Sequence, residues 1–327
     1  MDLPYGPVST PVLLIIFRRP ELVEIALDKL RAVRPATLYV AADGPRPDVP
    51  EDCLGTAACR SLIAAGIDWP CDVHLRFRDA NLGVQHGVVD AIDWIFETEE
   101  QAIILEDDVA PEPDFFRFCD ELLERYRDNP AVATIGGISY LQQPAQSSYH
   151  ASSFIDMWGW ATWRDRWRHY DAAMDAWPEF ADSGRLAAMP GASPRFVRYW
   201  RMIMDETKAG RMKAWDYQWM LTCWHRGMVA LHPRVPLVRN LGFGRLATNT
   251  ALRSVPRFCR PTGTLTWPLV DPASLVPGTE SERQMWAFRF HISARDAVIQ
   301  SVRLPLARLY RKILDQFARR NRNAAGR

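Results

Sequence analysis

Short apolar runs alternate with longer amphipathic stretches through the first 140 or so residues. Val12 to Phe17, "VLLIIF", follows a proline and is apolar throughout, the pattern of a buried strand. In "PELVEIALDKLRAV", Leu22, Ile25, Ala26 and Leu30 recur at helical spacing, and Pro20 suits a first helical turn. "ATLYVAADG" predicts a second strand ending at Asp43-Gly44. "DVHLRFRD", alternating Val73, Leu75 and Phe77, predicts a third. "GVQHGVVDAIDWIF" predicts a helix, "AIILED" a fourth strand, "DFFRFCDELLERYRD" a helix and "AVATIGGIS" a further strand. This alternation predicts an α/β fold: a mixed, mostly parallel sheet flanked by helices. Ligands of such sheets bind at the carboxyl ends of the strands. Asp43, Asp79 and the run Glu106–Asp108 all fall there.

From about residue 146 the texture changes. Nine of the 13 tryptophans lie between Trp158 and Trp224, which predicts a Trp-rich lobe packed on the first half without a flexible linker. The proline-rich stretch 256–278 predicts an irregular loop with a short strand. The expected organisation is an α/β half over 1–145, a second half of the same domain over 146–300, and a basic amphipathic tail over 301–327.

Composition adds exclusions. A chain of 327 residues with 48% hydrophobic and 24% charged residues is that of a soluble globular protein. A net charge of +1 argues against a general nucleic-acid binder. Eight of the 40 basic residues and one of the 39 acidic ones fall in 303–327, so the body is mildly acidic and the tail strongly basic. None of the six cysteines forms a C-x-x-C pair, which suits a reducing cytoplasm. "MDLPYGPVS" does not read as a signal peptide, and no apolar run approaches the ~20 residues of a spanning helix.

Glu106, Asp107 and Asp108 follow an apolar run directly. Carboxylates so crowded repel unless a cation lies between them, and Mg²⁺ or Mn²⁺ often takes one or two carboxylates with substrate phosphates completing the shell. An exposed turn can also carry three acids without function. The wider stretch "ILEDDVAPEPDFFRF" resembles the acidic metal motif of GT-A fold (Rossmann-like) glycosyltransferases, which use nucleotide-diphosphate sugars, and is most similar to the N-acetylglucosaminyltransferase I type. "FRRPELVEIALDKL" resembles that family's first strand and helix, "VAADG" its second strand, and "LGVQHGVVDAIDWIF" the helix before the acidic motif. "MWGWATWRDRW" resembles its acceptor segment. "AWDYQWM" with "LHPRVPLVRNLGFG" resembles its acidic-aromatic element and the strand and loop after it. The similarity runs in the same order over roughly residues 11 to 250.

Residue by residue, the resemblance implies that Asp108 is the principal ligand of Mn²⁺ or Mg²⁺. Glu106 and Asp107 would contact ribose or hold the nucleotide and metal waters. Asp43 would accept from a uracil imide N–H, Arg19 or Arg18 would lie near the nucleotide, and His86 would line the same pocket. Asp43 in "DG" is also an ordinary turn acid, and His86 reads equally as a satisfied, partly buried histidine. Asp216 in "KAWDYQWM" matches the acid that such enzymes use as general base in an inverting single displacement, although Tyr217 stands where the family has a second acid. Asp216 also reads as a helix N-cap, a role that does not exclude catalysis, and Asp156 and Asp165 are weaker candidates for the base.

Trp158, Gly159, Trp160, Trp215 and Tyr217 would form the sugar pocket, although tryptophans more often serve a core. "NLGFGRLATNT" predicts a phosphate lid through Gly242, Gly244 and Arg245. In the tail, Leu306, Leu309, Tyr310, Ile313 and Phe317 share a helical face opposite Arg308, Arg311, Lys312 and Arg319. That face packs on the body, or residues 303–320 touch the inner, anionic face of a membrane. The expected function is a metal-dependent inverting glycosyltransferase (hexosyl or N-acetylhexosaminyl) moving sugar from a UDP-sugar to a glycan or lipid-linked hydroxyl. The alternatives are a non-catalytic glycan-binding or assembly protein of the same fold and a sugar nucleotidyltransferase. The latter is expected to carry a glycine-rich phosphate loop and a lysine near the N-terminus, and "LLIIFRRPEL" has neither.

Overall fold

β1 (Val12–Ile16) is apolar throughout because it pairs on both edges and is covered on both faces. In the computed structural model, which describes residues 8–141, 146–243 and 259–290, it lies within an eight-stranded sheet. After β1 come α1 (Pro20–Val33), β2 (Thr37–Ala42), α2 (Pro50–Gly66), β3 (Asp72–Phe77), α3 (Gly83–Ile95) and β4 (Gln101–Glu106). The chain continues through β5 (Val109–Pro111), α4 (Pro113–Arg125), β6 (Val132–Gly136), β7 (Tyr149–Ser152) and β8 (Trp160–Trp163). Four helices follow, the short α5 (Arg164–Trp167), α6 (Trp177–Asp182) and α7 (Arg185–Ala188), then α8 (Pro194–Lys208). α9 (Asp216–Arg226), β9 (Val229–Pro233), β10 (Val238–Asn240) and α10 (Thr279–Phe290) complete the described elements.

The sheet order is β3-β2-β1-β4-β8-β6-β9-β7, and only β7 and β8 run against the rest. The expected mixed, mostly parallel sheet flanked by helices is therefore the observed one. The carboxyl ends of β1 to β4 reach one edge together. There Ile15 O accepts from Asp107 N at 3.0 Å and Ile16 O from Asp43 N at 3.3 Å. β8 wedges between β4 and β6 with Trp160 beside Ile104 and Gly136, so it begins where they end. Asp156, Met157 and Trp158, just before β8, consequently emerge at the same edge. A second, two-stranded sheet pairs β10 with β5, Asn240 opposite Val109, and brings residues 240–242 beside Asp108.

α4 shows how packing holds this edge. Its buried stripe of Phe115, Phe116, Phe118, Cys119, Leu122 and Leu123 lies under the sheet, each large side chain contributing about 1.5–3 kcal/mol by leaving water. Most of the tryptophans are core, as residues of that size usually are. Trp160, Trp167, Trp215 and Trp219 form one cluster, and Trp200, Trp224 and Trp286 another. Two of these indoles donate to acceptors, Trp167 to Asp93 at 2.7 Å and Trp224 to Ser153 O at 2.7 Å.

β7, β8 and β9, all after residue 146, complete the sheet begun by β1 to β4. Several expectations need correction. Ile25 is exposed on α1, whose buried face uses Val23 and Leu27 instead. Leu75 is exposed, since β3 is an edge strand. α2 was not foreseen, although a proline at its start and two acids in its first turn mark it. The described part of the proline-rich stretch, 259–278, holds no strand. Its prolines donate no hydrogen bonds, and it is tied instead by Leu265 N to Asp114 at 2.8 Å and Val270 N to Ser148 at 2.9 Å. Gly244, Arg245 and the basic tail lie outside the described residues. Among the described residues no helix is long and apolar enough to cross a membrane.

Gly159 locks the two sheets together. Its φ is +65°, and a Cβ there would stand 2.9 Å from Val238 of β10 and 3.1 Å from Val109 of β5. Gly159→Ala should cost about 1–3 kcal/mol in chemical denaturation; an unchanged midpoint would show that the ribbon is not held at this contact.

Candidate active site

Two adjoining cavities open on the carboxyl edge of the sheet. The smaller, about 180 Å³, lies over the ends of β1, β2 and β4 and the start of α3. The larger is a cleft of about 690 Å³ between Asp108, the segment before β8, the start of α9, residues 240–243 and the last turn of α10. Glu106 and Val84 line both. The four neighbouring acids of the expectation are thus brought together: Asp107 with Glu106 on the small cavity, and Asp108 and Asp216 with Glu106 on the cleft.

Asp107 is buried and Arg19 answers it. The guanidinium bonds both Asp107 oxygens, with Nε at 3.3 Å from Oδ2, and reaches Asp108 Oδ2 through Nη1 at 3.0 Å. Desolvation nonetheless outweighs the pairing, and with repulsion from Asp108 it pushes the Asp107 carboxyl up to about 6. Glu106 is pushed up to about 8, by desolvation first, then by the charges of Asp108 and Asp107. Crowded hard oxygens of this kind suit Mg²⁺ or Mn²⁺. Gly242 keeps Asp108 open to the cleft, since a Cβ there would fall 2.2 Å from Asp108 Oδ2. Among the described residues no group of three or more His, Cys, Asp or Glu side chains is placed to hold a metal ion by itself, and a cation held by one or two carboxylates takes the rest of its shell from substrate or water.

Asp216 occupies the first turn of α9, where Trp215 holds the N-cap position with no side-chain bond to the helix. It is therefore not the N-cap. Desolvation raises its carboxyl above the ordinary range, opposed by the N–H groups of Asp216 and Tyr217 and by the charge of Arg289. Trp158, Trp215 and Tyr217 stand in the same cleft, with Phe243 edge-on to Trp158 at 5.6 Å. Trp160 is only 1% exposed and stacks on Trp215, and Gly159 is buried against Val238, so neither forms the pocket wall. Of the other candidate acids, Asp156 is buried in the cleft wall, held by Tyr140 Oη at 2.6 Å and Trp158 N at 2.8 Å. Asp165 pairs with Arg166 and lies away from the cleft.

Other expectations on the nucleotide side change. Asp43 lines the small cavity, but its carboxylate already accepts from Gly44 N, Leu82 N, Asn81 Nδ2 and Gly83 N at 2.8, 2.8, 2.9 and 3.0 Å. Those four bonds fill its lone-pair sites. Asp43 therefore fastens the start of α3, and a base imide meets no free oxygen there. Arg18 turns away from the cavity to pair with the buried Asp52 at 3.2 Å. His86 is exposed on the outward side of α3 and lines neither cavity.

Sequence reasoning missed Arg46, Arg78 and Asn81 on the small cavity and Arg289 on the cleft. Asn81 had a signal, because "NLG" stands directly before a helix. Arg289 had none, since only tertiary packing returns α10 to the site.

No protein-family model matches the chain, and no curated protein matches it. Among solved structures it is similar to a UDP-glucose pyrophosphorylase complexed with UDP-glucose, with a TM-score of 0.36 and 7% identity over 69% of this chain and 90% of that one. It is also similar to HddC from Yersinia pseudotuberculosis, with a TM-score of 0.28 and 12% identity over 48% of this chain and 78% of that one. Likeness at this level fixes neither reaction nor substrate.

The raised Glu106 carboxyl has a consequence for stability. The folded state holds its proton from 4.5 up to about 8, so this group's contribution is full below 4.5 and is lost as pH rises through about 8. Glu106→Gln removes that dependence, and thermal melts at about pH 5 and about pH 8 should show a smaller loss than in the wild type. An equal loss in both proteins would place the proton elsewhere.

Proposed function

We propose that the chain is a metal-dependent, inverting glycosyltransferase that moves a sugar from a UDP-sugar to a hydroxyl of a glycan or lipid-linked acceptor. The observation that carries this reading is the shared cleft, onto which Asp108 and Asp216 both face while Glu106 connects it to the smaller cavity. A donor has two parts with different needs, and two joined cavities with different linings meet them.

In this reading the nucleoside lies in the small cavity, between Phe17, Val84 and the start of α3. Asp108 holds Mn²⁺ or Mg²⁺, which when bound neutralises the departing diphosphate. The donor sugar and the acceptor lie in the cleft, where Trp158, Trp215 and Tyr217 give flat apolar faces and exclude water. Asp216 accepts the proton of the attacking hydroxyl as the oxygen bonds to the anomeric carbon from the face opposite the leaving group. Burial raises its carboxyl, and a raised carboxylate is the stronger base toward a hydroxyl proton.

Incubation of UDP-, GDP- and dTDP-sugars with the protein and Mn²⁺ tests the reading through release of free sugar and nucleotide diphosphate. Formation of nucleoside triphosphate on addition of pyrophosphate would make it a nucleotidyltransferase instead. Metal-dependent UDP binding without turnover of any donor would favour a non-catalytic role. Asp216→Asn should lower turnover by on the order of 10²–10⁴-fold and leave the calorimetric UDP affinity in Mn²⁺ unchanged. Asp108→Ala should lose turnover and UDP affinity together; equal UDP affinity in the two variants would refute this division of roles.

A further inference from the structure

Arg19 stands between the two cavities. Its backbone is fixed, since its carbonyl accepts from Leu22 N at 3.0 Å and Val23 N at 3.1 Å to start α1. Its side chain, 15% exposed, divides its donors between two acids. Nε and Nη2 bond Asp107, while Nη1 lies 3.0 Å from Asp108 Oδ2. That oxygen is the one beside Gly242 at the cleft. We propose that Arg19 competes with the divalent cation for Asp108, and that a nucleotide diphosphate relieves the competition by taking Arg19's third donor, so that cation and nucleotide bind together. This rests on the reading of the two cavities given above.

The geometry makes the exchange local. Arg19 lines the small cavity and Asp108 the cleft, so a diphosphate joining a nucleoside in one to a sugar in the other passes the guanidinium. Nη1 can leave Asp108 for a phosphate oxygen while Nε and Nη2 keep Asp107, because the planar fork addresses two anions at once. A cation arriving alone must displace Nη1 with nothing to replace its bond, and then shares the edge with the guanidinium's positive charge. With the diphosphate present, Arg19 trades a carboxylate for a phosphate and Asp108 trades a guanidinium for the cation. Coupling of this kind is reciprocal: UDP raises cation affinity by the factor by which the cation raises UDP affinity.

The test titrates Mn²⁺ alone into the full chain, following free Mn²⁺ by electron paramagnetic resonance, for the wild type, Arg19→Met and Arg19→Lys. Arg19→Met leaves buried Asp107 unpaired and can lower stability, so thermal melts accompany each titration. Arg19→Lys keeps the charge on Asp107 but cannot span both acids. Both variants should bind Mn²⁺ alone about ten-fold more tightly than the wild type, the worth of one charge-assisted hydrogen bond. In both, saturating UDP should raise Mn²⁺ affinity by a smaller factor than in the wild type. No gain in either variant overturns the proposal, as does a gain in Arg19→Met alone, which would be a field effect. If UDP and Mn²⁺ together fail to bind the wild type, the reading of the cavities falls with it. If they bind tightly and the variants match the wild type, only the role of Arg19 falls.

Discussion

The repulsion among carboxylates at the end of β4 is the constraint around which this edge is built. Glu106, Asp107 and Asp108 are consecutive, and β1 and β8 on either side of β4 keep it rigidly in place. Backbone rigidity prevents the three side chains from spreading apart, so the surroundings must absorb the charge. Arg19 does so for Asp107 and part of Asp108. A raised Glu106 carboxyl does so by holding a proton.

Topology explains why such distant residues share the edge. Parallel strands send their carboxyl ends to one side, which gathers Asp43 and Asp107 on either side of β1. The antiparallel β8 contributes its beginning instead of its end, and so the residues before it, Asp156 to Trp158, reach the same side. The β5–β10 ribbon then carries Asn240 and Gly242 across to Asp108, with Leu241 N donating to Asp108 O at 2.7 Å. Asp108 and Gly242 come together because Gly159 leaves room for Val238.

The alternating texture of residues 12–136 announced strands and helices well, because buried parallel strands are continuously apolar and their helices are periodic. Periodicity does not say which residues of an apolar set face inward at an edge, and so Leu75 and Ile25 were misplaced. The acids at the ends of β2 and β4 were legible from position. The occupation of Asp43 was not, because its four donors come from its neighbour Gly44 and from a turn nearly forty residues on. Trp158 and Trp160 share one motif, yet Gly159 between them, at φ +65°, departs from strand geometry, and one lies on the cleft while the other is core. The wall given by Arg289 and Phe290 had no local sign at all.

That last wall gives the molecule a direction in time. The small cavity is lined wholly by residues 15 to 107, whereas the cleft lacks a side until Arg289 and Phe290 arrive. Glu282, buried against Ser152 and Ser153, and Trp286, packed on Trp200, anchor the helix that delivers them. A chain emerging from the ribosome from its amino end therefore makes every residue of its first cavity long before its second can close. Any product of interrupted synthesis or of cleavage before α10 would keep the lining of one chamber without the means to complete the other.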